Sequence, residues 1–489
     1  MYKMIKSLGE EKTREAKYII CLLVFSIITR FLALGNPIIG VDEGFYLFTG
    51  GQLLHGAIPF VDIWDRKPLG LFILYAFFHL FGPYRVWAFE IGALISVWLT
   101  GVVLMRMART IAPALGAFVA ALLYIAWTVL EGGDGGQSPV FYNLPVAMAM
   151  ALVLRGLVHK SSTPQDIART ARKVMLLFGI AIQIKYTVIF EGAFAGLFLI
   201  YCLYKAGASY RDIFVQMLAW MAIALAPTTV IALAYVAMGH GYDWWYANIL
   251  SIFHRTGLSS ARQEGIRMLW LTAPLLLSIP LRPFLSAPMD DQQKRCAQFL
   301  NLWALAAVGG VCIMGTRYLH YALPMLPPLA VAASPLWNRK AGKIWLCLVV
   351  TYATVKGQVL LAKHLHTQGN AQRFRAVIAA VSNPEGCVFV YGGSSIVYDF
   401  TKYCHFTTHP FPDHLNSTVE EHATGINQQD EIRKILASRP TYILTHEPGG
   451  IAENQLIRRM VYQEIHANYQ ETFRTVQGQK NWVVYKRIH

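Results

Sequence analysis

The sequence predicts a mainly α-helical, polytopic membrane protein with a small α/β domain outside the membrane at its C-terminal end. Of the 489 residues, 55% are hydrophobic and only 15% are charged, whereas soluble domains carry about 25% charged residues. Apolar runs long enough to cross the hydrocarbon core, about 20 residues each, recur up to residue 362. Residues 363–489 instead alternate short apolar segments with polar ones.

The apolar runs predict about 11 membrane spans within residues 1–362. The run 174–204 is too long for one helix, and Lys185 divides it into two short spans. The first run contains Arg30 and is followed by no small-residue cleavage site, which indicates a retained span rather than a signal peptide. The other predicted spans lie at about 18–36, 86–105, 111–130, 140–158, 214–238, 265–283, 297–315, 319–337 and 343–362.

The distribution of positive charge orients these spans and argues against a nucleic-acid partner. The net charge of +15 comes largely from clusters in short loops, such as Arg106 with Arg109 and Arg339 with Lys340. With a cytoplasmic N-terminus these clusters fall on the cytoplasmic side, as the positive-inside rule requires. An odd number of spans then places residues 363–489 on the outer, periplasmic face. The predicted location is a bacterial inner membrane.

Two regions outside the spans have predicted structure of their own. Residues 69–81 are apolar but too short to cross, so they predict a helix lying along or dipping into the outer interface. In the C-terminal domain, apolar patterns predict three strands and three helices. The strands are at 387–392, 441–445 and 482–485, and the helices at 394–403, 430–436 and 453–467. Cys387 and Cys404 can pair there if the domain faces an oxidising compartment.

Outer loop 37–85 concentrates charged residues that are candidates for chemistry. It holds Asp42, Glu43, Asp62, Asp65 and Lys67 among aromatic and apolar residues. One interpretation is a solvated loop whose charges have no role. The apolar content favours a loop that packs on the membrane domain, where partly desolvated acids acquire shifted pKa values and functional roles. The residues alone leave both interpretations open.

Two further groups lie within or beside apolar runs. Lys185 either lines a cavity or snorkels from a helix end to the membrane surface. Glu191 is either a partner for Lys185 or a marker of the outer loop. In the segment T-R-Y-L-H-Y, Arg317 opens the entrance of an outer helix and His320 follows it. Arg317 is either an interfacial anchor or a clamp for a phosphate group.

Acids, an embedded lysine and an outer arginine together suit sugar transfer from a lipid phosphate. Such a reaction passes through an oxocarbenium-like centre, so a carboxylate is needed to activate the acceptor or to stabilise positive charge. Cations are needed to hold the departing phosphate. The membrane spans supply a surface for the polyprenyl tail.

Three segments resemble GT-C membrane glycosyltransferases, the relatives of dolichyl-phosphate-mannose protein mannosyltransferases and the bacterial aminoarabinose transferase. The first is D-E-x-x-Y from Asp42, followed by L-L-x-G-x-x-P-F-x-D-x-x-D-x-K-P-L. The others are G-I-A-I-Q-I-K-Y, which is similar to a Gly-rich helix ending in Lys, and R-Y-L-H-Y-A-L-P-M-L-P from Arg317. The resemblance covers about residues 16–362 and predicts a GT-C-like transmembrane catalytic domain.

The resemblance implies a polyprenyl-phosphate-linked sugar donor, an outer-face site and an inverting transfer. It makes Asp42 the catalytic carboxylate of the D-E pair. It also implies that Lys67 and Lys185 lie near the donor phosphate and that Tyr46 and Tyr321 line the pocket. From its chemistry, Arg317 is a further candidate for binding the donor phosphate. The remaining candidates for supporting the site or lining its pocket are Glu43, Asp62, Asp65, Asp134, Tyr318 and His320.

Two departures from the family pattern bear on a metal ion and on one acid. Where relatives carry an acid immediately before the K-P lysine, this chain has Arg66, with Asp65 one position earlier. A divalent metal ion is optional in the family, and this departure puts a metal site there in doubt. No other cofactor is predicted. Asp134 is the candidate substitute for the acid that relatives place at the outer start of the fourth span.

The leading hypothesis is therefore a membrane glycosyltransferase that acts on a glycan, lipid or protein acceptor and also contacts membrane lipids. One alternative is a transporter or flippase of lipid-linked saccharides that breaks no bond. Another is a scaffold whose outer domain docks partners. A transporter more often shows repeat symmetry and interrupted helices in matching halves, and neither is evident in the sequence.

Overall fold

The computed structural model describes residues 2–158, 163–256, 261–314, 318–381, 383, 386–450, 452–475 and 481–488. These residues form mostly helices, with one small sheet near the C-terminus. The helices are α1 (Tyr2–Arg30), α2 (Val41–Leu54), α3 (Leu69–His79), α4 (Arg85–Ala108), α5 (Ala114–Leu130), α6 (Ser138–Val153), α7 (Pro164–Ile182), α8 (Ile189–Lys205), α9 (Tyr210–Ala237), α10 (Gly241–Trp245), α11 (Ala261–Leu277), α12 (Arg282–Leu285), α13 (Asp291–Met314), α14 (Leu326–Ala333), α15 (Lys340–Gln368), α16 (Ala371–Ala380), α17 (Val397–Phe400), α18 (Pro412–Asn416), α19 (Gln428–Ala437) and α20 (Gln455–Asn468). The strands are β1 (Val388–Val390), β2 (Tyr442–Glu447), β3 (Tyr469–Arg474) and β4 (Asn481–Arg487).

Seven helical segments of the described chain are long and apolar enough to span a membrane. They are Gly82–Ala108, Ser138–Gly156, Tyr186–Lys205, Tyr210–Ala237, Arg262–Leu285, Asp291–Met314 and Lys340–Ala380. The remaining predicted spans correspond to α1, α5, α7 and α14, which are shorter or more polar. The total of about 11 spans therefore stays a prediction, as does the domain boundary at residue 362, which lies within α15.

Apolar stripes on the outside of the bundle show which surface faces lipid. On α4, the exposed residues Trp87, Ile91, Ile95 and Leu99 recur every four positions and form one face of the helix. On α9, only two residues, Trp220 among them, are buried in the protein. Contiguous apolar surface of this extent is not maintained in water, so these helices form the exterior of a multi-pass membrane protein.

The outer loop 37–85 is folded rather than solvated. Its helix α2 is buried from Glu43 to Gly51, and its second helix, α3, packs against it. The helix predicted at 69–81 is confirmed as α3, while its position at the membrane interface stays a prediction. The first residues of α2 are therefore held against the rest of the protein.

The C-terminal region forms a four-stranded sheet in the order β1-β2-β4-β3. β1 pairs with β2 in parallel, and β4 is antiparallel to both β2 and β3. Strands β1, β2 and β4 are largely buried on both faces of the sheet. Phe389 packs on the side of α19 and α20, while Val388 and Val390 join the larger core shared with the membrane helices. The sheet is thereby fixed against the membrane domain.

One local prediction in this region needs correction, one strand was missed, and one open question is answered. The helix predicted at 394–403 is limited to α17, since the chain turns away after Phe400. β3 was not predicted, because it is an edge strand whose residues are mostly exposed and lack an alternating apolar pattern. The structure contains the disulfide between Cys387 and Cys404 that the sequence left open.

Side chains outside the sheet also anchor this region to the outer loop. Asp399 accepts hydrogen bonds from His79, at the end of α3, at 2.9 Å and from Arg85, at the start of α4, at 2.5 Å. The backbone N–H of Trp64 donates to the carbonyl of Thr408 at 2.7 Å. The outer loop and the C-terminal region therefore form one packed unit.

Candidate active site

A cavity of about 1370 Å³ lies between the outer loop, the membrane helices and the C-terminal region. Most of the candidate residues that the sequence singled out line it. The lining candidates are Asp42, Glu43, Tyr46, Asp65, Lys67, Asp134, Lys185, Tyr318, His320 and Tyr321. The fold therefore brings residues from four separate parts of the chain to one space.

Asp42 and Glu43 occupy the first turn of α2, where the positive end of the helix dipole favours negative charge. The side-chain amide of Gln137 bridges them, donating to Asp42 Oδ2 at 3.2 Å and to Glu43 Oε2 at 3.1 Å. Glu43 is buried, whereas Asp42 is half-buried. Gln137, at the start of α6, is a site residue that the sequence analysis missed.

The two carboxyl groups have opposite pKa shifts. Burial, together with the negative charge of Asp42, raises the pKa of Glu43 to about 8. Burial also opposes ionisation of Asp42, but the positive charge of Lys67 and the Gln137 hydrogen bond hold its pKa below the ordinary value. At neutral pH the pair therefore consists of one carboxylate, Asp42, and one protonated acid, Glu43.

Lys67 is held in the cavity by the turn that precedes α3. The buried carboxylate of Asp65 accepts backbone hydrogen bonds from Arg66 and Lys67, and its Oδ1 lies 3.7 Å from Lys67 Nζ. Lys67 Nζ also lies 5.4 Å from the ring centroid of Tyr46. Burial lowers the pKa of Lys67, but the charges of Asp65 and Asp42 outweigh this and raise it. Asp65 therefore positions a charged lysine near Asp42.

Lys185 enters the same cavity from the turn between α7 and α8. A side chain at Gly70 would clash with Gln183, since a Cβ there would lie 2.6 Å from Gln183 Cβ. The absence of that side chain lets the turn carrying Lys185 lie close to α3. Lys185 Nζ is 4.8 Å from the ring centroid of Tyr321. Lys185 is therefore a cavity residue rather than a snorkelling one.

Glu191 is not the ionic partner suggested for Lys185. Its carboxylate accepts a hydrogen bond from Trp303 Nε1 at 2.6 Å, and the ion pairs of the described residues include none between Glu191 and Lys185.

Tyr318 and His320, the other aromatic residues beside Tyr321, stack with ring centroids 5.6 Å apart. Together with Tyr321, these two rings form an aromatic wall next to Lys185.

Arg30 holds the segment that carries Asp134 and Gln137. Its buried guanidinium donates to the carbonyls of Asp134 at 2.9 Å and Gly135 at 3.3 Å, and also to that of Gly133. The sequence analysis noted Arg30 only as an interruption of the first apolar run. A charged residue inside a membrane span is itself a signal of function, and this signal was available in the sequence.

One predicted site residue lies away from the cavity, and another falls outside the described residues. Asp62 accepts a hydrogen bond from the backbone N–H of Ile58 at 2.7 Å, stabilises its own turn and does not line the cavity. Arg317 lies outside the described residues, so its role stays a prediction.

Arg66 and Arg255 both form ion pairs with Glu420 of the C-terminal region. Glu420 Oε2 lies 2.5 Å from Arg66 Nη2, and Glu420 Oε1 lies 2.6 Å from Arg255 Nη2. All three side chains are largely buried. Burial opposes ionisation of Glu420, but the two guanidinium charges lower its pKa. Neither Arg255 nor Glu420 was identified from the sequence.

The residues before Lys67 do not fit a divalent cation. The position that would supply an acid is a guanidinium, Arg66, already paired with Glu420. In the part of the chain that the structure describes, no three His, Cys, Asp or Glu side chains are grouped as metal ligands. The site chemistry is therefore derived from the side chains alone.

Several solved structures share the fold of this chain over nearly its whole length. One is ArnT from Cupriavidus metallidurans bound to undecaprenyl phosphate, with a TM-score of 0.63 and 13% identity, covering 96% of this chain and 97% of that chain. The apo state of that protein matches with a TM-score of 0.58 and 12% identity, covering 97% and 98%. No protein-family model and no curated protein matches the chain. The resemblance seen in the sequence is thus confirmed at the level of the fold.

Proposed function

We propose that this chain is an integral-membrane glycosyltransferase that moves a sugar from a polyprenyl-phosphate-linked donor to an acceptor at the outer face of the membrane. The observation that carries the proposal is the meeting of one ionised carboxylate, Asp42, with Lys67 and Lys185 in a single cavity. The fold shared with a protein that binds undecaprenyl phosphate supports the lipid-phosphate donor.

In the proposed reaction, Asp42 is the general base. Its carboxylate takes the proton from an acceptor hydroxyl as that oxygen bonds to the anomeric carbon of the donor sugar. The bond between the anomeric carbon and the phosphate oxygen breaks in the same step, which inverts the configuration. Lys67 and Lys185 stabilise the negative charge on the released polyprenyl phosphate. No step passes through a metal ion.

Glu43 has a different role from Asp42 in this mechanism. Because its carboxyl is protonated at neutral pH, it adds no second negative charge beside the base. Two carboxylates sharing Gln137 would repel each other and raise the pKa of Asp42. A neutral Glu43 therefore keeps Asp42 in its ionised form while it helps to orient Gln137.

The proposed orientation places the cavity and the C-terminal region outside the cytoplasm. The disulfide between Cys387 and Cys404 supports this, because disulfides persist in oxidising compartments and are rare in the cytosol. The positive charges of the predicted cytoplasmic loops support the same orientation. The donor then reaches the site from the outer leaflet.

The test is transfer of radiolabel from a panel of polyprenyl-phosphate sugars in membranes that contain wild type or Asp42→Asn. We expect the variant to lose transfer by at least about 100-fold, the scale of a general base, while donor binding is kept. Asp62→Asn is the matched control, because Asp62 lies in the same loop but outside the cavity. Equal transfer by wild type and Asp42→Asn would remove Asp42 from the mechanism.

The flippase hypothesis makes a different prediction for the same membranes. If the protein is a flippase, the labelled donor crosses the bilayer intact, no label reaches any acceptor, and Asp42→Asn has no specific effect. Transport of intact donor without transfer would therefore replace the proposal.

A further inference from the structure

The segment that follows α17 has little backbone structure of its own. Residues 402–411, which we call the strap, form neither a helix nor a strand. Among the described residues, no backbone N–H of the strap donates to another backbone group, and the Thr408 carbonyl accepts one bond, from the Trp64 N–H at 2.7 Å. The position of the strap therefore depends on its side chains and on the disulfide that it forms through Cys404.

The strap covers one face of the helix that carries Asp42. Phe45 and Phe48 lie three residues apart on α2 and therefore on the same side of it. The ring of Tyr403 packs edge to face on Phe48 with centroids 4.9 Å apart, and the ring of Phe411 packs on Phe45 at 5.2 Å. Because Phe45 lies one helical turn from Asp42, the contacts of the strap bear on the position of the candidate base.

The disulfide ties the strap to the sheet. Cys404 lies in the strap, and Cys387 directly precedes β1, where its carbonyl accepts a hydrogen bond from the Tyr442 N–H of β2 at 3.0 Å. Opening the bond adds conformational freedom to the detached strap, which favours detachment. Both cysteines are half-buried rather than buried, so a small dithiol can reach the bond.

The two ends of the strap are held in different ways. At the far end, the ring of His409 stacks on Trp64 with centroids 5.1 Å apart, and its Nε2 lies 3.1 Å from the Thr424 carbonyl oxygen. At the near end, the disulfide is accompanied by the ring of Tyr403, which contacts Phe48. Reduction of the disulfide therefore loosens the near end while the far end stays in place.

We propose that the disulfide between Cys387 and Cys404 is a redox-sensitive clasp, which holds the strap on α2 when oxidised and lowers sugar transfer when reduced. This rests on the proposed function, whose regulation it specifies. The reductant is a dithiol. Its two thiols supply two electrons and two protons to the S–S bond, which yields two cysteine thiols and the cyclic disulfide of the reductant. The freed strap then uncovers Phe48 and loosens the helix that bears Asp42.

The test compares hydrogen–deuterium exchange of the full-length protein in nanodiscs before and after treatment with dithiothreitol. We expect the amides of α2 to exchange about tenfold faster, or more, after reduction, while those of α5 keep their rates. Treatment with oxidised glutathione, after removal of dithiothreitol, should restore slow exchange, because it takes up the two electrons and two protons of the cysteine thiols.

Transfer and ligand binding are measured on the same samples. We expect reduction to lower the rate of transfer by about tenfold or more, because catalysis is sensitive to small displacements of a reacting group. The affinity for undecaprenyl phosphate should be largely kept, because Lys185 is carried by a turn outside α2 and the strap.

Two variants assign the response to this disulfide. The double variant Cys387→Ser with Cys404→Ser should show fast exchange in α2 and no response to dithiothreitol. Cys312→Ser removes an exposed free cysteine of α13 and should respond as wild type does. If the double variant does not fold, oxidised and reduced wild type still decide the question, because wild type folds before it is treated.

The outcomes distinguish this inference from the proposed function. Equal exchange of α2 in oxidised and reduced wild type overturns the clasp, as does an equal response of the double variant to dithiothreitol. Faster exchange with an unchanged rate of transfer overturns the control of Asp42, and the proposed function then stands without it. If exchange responds as expected and no donor supports transfer in either redox state, the clasp on α2 stands and the proposed function fails.

Discussion

Substitution of Glu43 by Gln tests the division of roles between the two neighbouring acids. If Glu43 is protonated at neutral pH, a neutral amide of the same size replaces it with little change in the cavity. Catalytic transfer at pH 7 is then largely kept by Glu43→Gln, in contrast to Asp42→Asn. The substitution also removes one titrating group from the folded protein, and this gives a measurable signature in stability.

The magnitude of that signature follows from the pKa of the buried carboxyl. The pKa of Glu43 is raised to about 8, compared with about 4.3 for an unperturbed glutamate. The folded protein therefore holds a proton that the unfolded chain releases in this pH window, so stability falls as the pH rises from about 4 to about 8. At about 1.4 kcal/mol per pKa unit, this one group accounts for a loss of about 5 kcal/mol.

The assay is thermal unfolding of the detergent-solubilised protein at several pH values between about 5 and 8, for wild type and Glu43→Gln. We expect the apparent unfolding temperature of wild type to fall with rising pH more steeply than that of the variant. Glu421→Gln is the control, and we expect it to follow wild type. Parallel curves for wild type and Glu43→Gln would show that Glu43 is already ionised at neutral pH, which refutes the assigned protonation states.

Three further predictions concern the side chains that position the site, stabilise the outer unit or bind the donor phosphate. Arg30→Gln should lower the rate of transfer more than it weakens donor binding, because the segment that bears Gln137 loses its anchor. The control is Arg106→Gln, which replaces an exposed arginine and should leave the rate unchanged. Equal effects of the two substitutions would contradict the positioning role of Arg30. Glu420→Gln should destabilise the packed outer unit by about 3 kcal/mol or more, since it leaves two buried guanidinium groups unpaired, and limited proteolysis should cleave it faster than wild type. Lys185→Ala should weaken binding of undecaprenyl phosphate about tenfold, and unchanged affinity would exclude Lys185 from the phosphate site.

The helical architecture was predictable because its signals are local. Runs of about 20 apolar residues and clusters of basic residues are read directly along the chain, and α3, α19, α20 and β4 appear where short apolar patterns predicted them. β3 was missed because an exposed edge strand has no apolar alternation to detect. The number of spans stays open because short helices such as α5 do not meet a length criterion on their own.

The candidate site was only partly predictable because its contacts join distant segments. Asp42, Lys67 and Lys185 were predicted from the sequence, because each lies within a short motif that can be recognised along the chain. Arg30 lies 104 positions from Asp134, and Arg66 lies 354 positions from Glu420. Pairings over such separations depend on tertiary packing, so a single sequence does not reveal them. The same holds for the opposite pKa shifts of Asp42 and Glu43, because burial and partners decide them.

The most direct test of bond-breaking chemistry is to measure free polyprenyl phosphate and glycosylated acceptor together in proteoliposomes supplied with labelled donor. We predict that wild-type protein releases one polyprenyl phosphate for each sugar transferred, and that Asp42→Asn releases neither product while Asp62→Asn behaves as wild type. Movement of intact donor across the bilayer, with no polyprenyl phosphate released by the wild type, would contradict the glycosyltransferase mechanism.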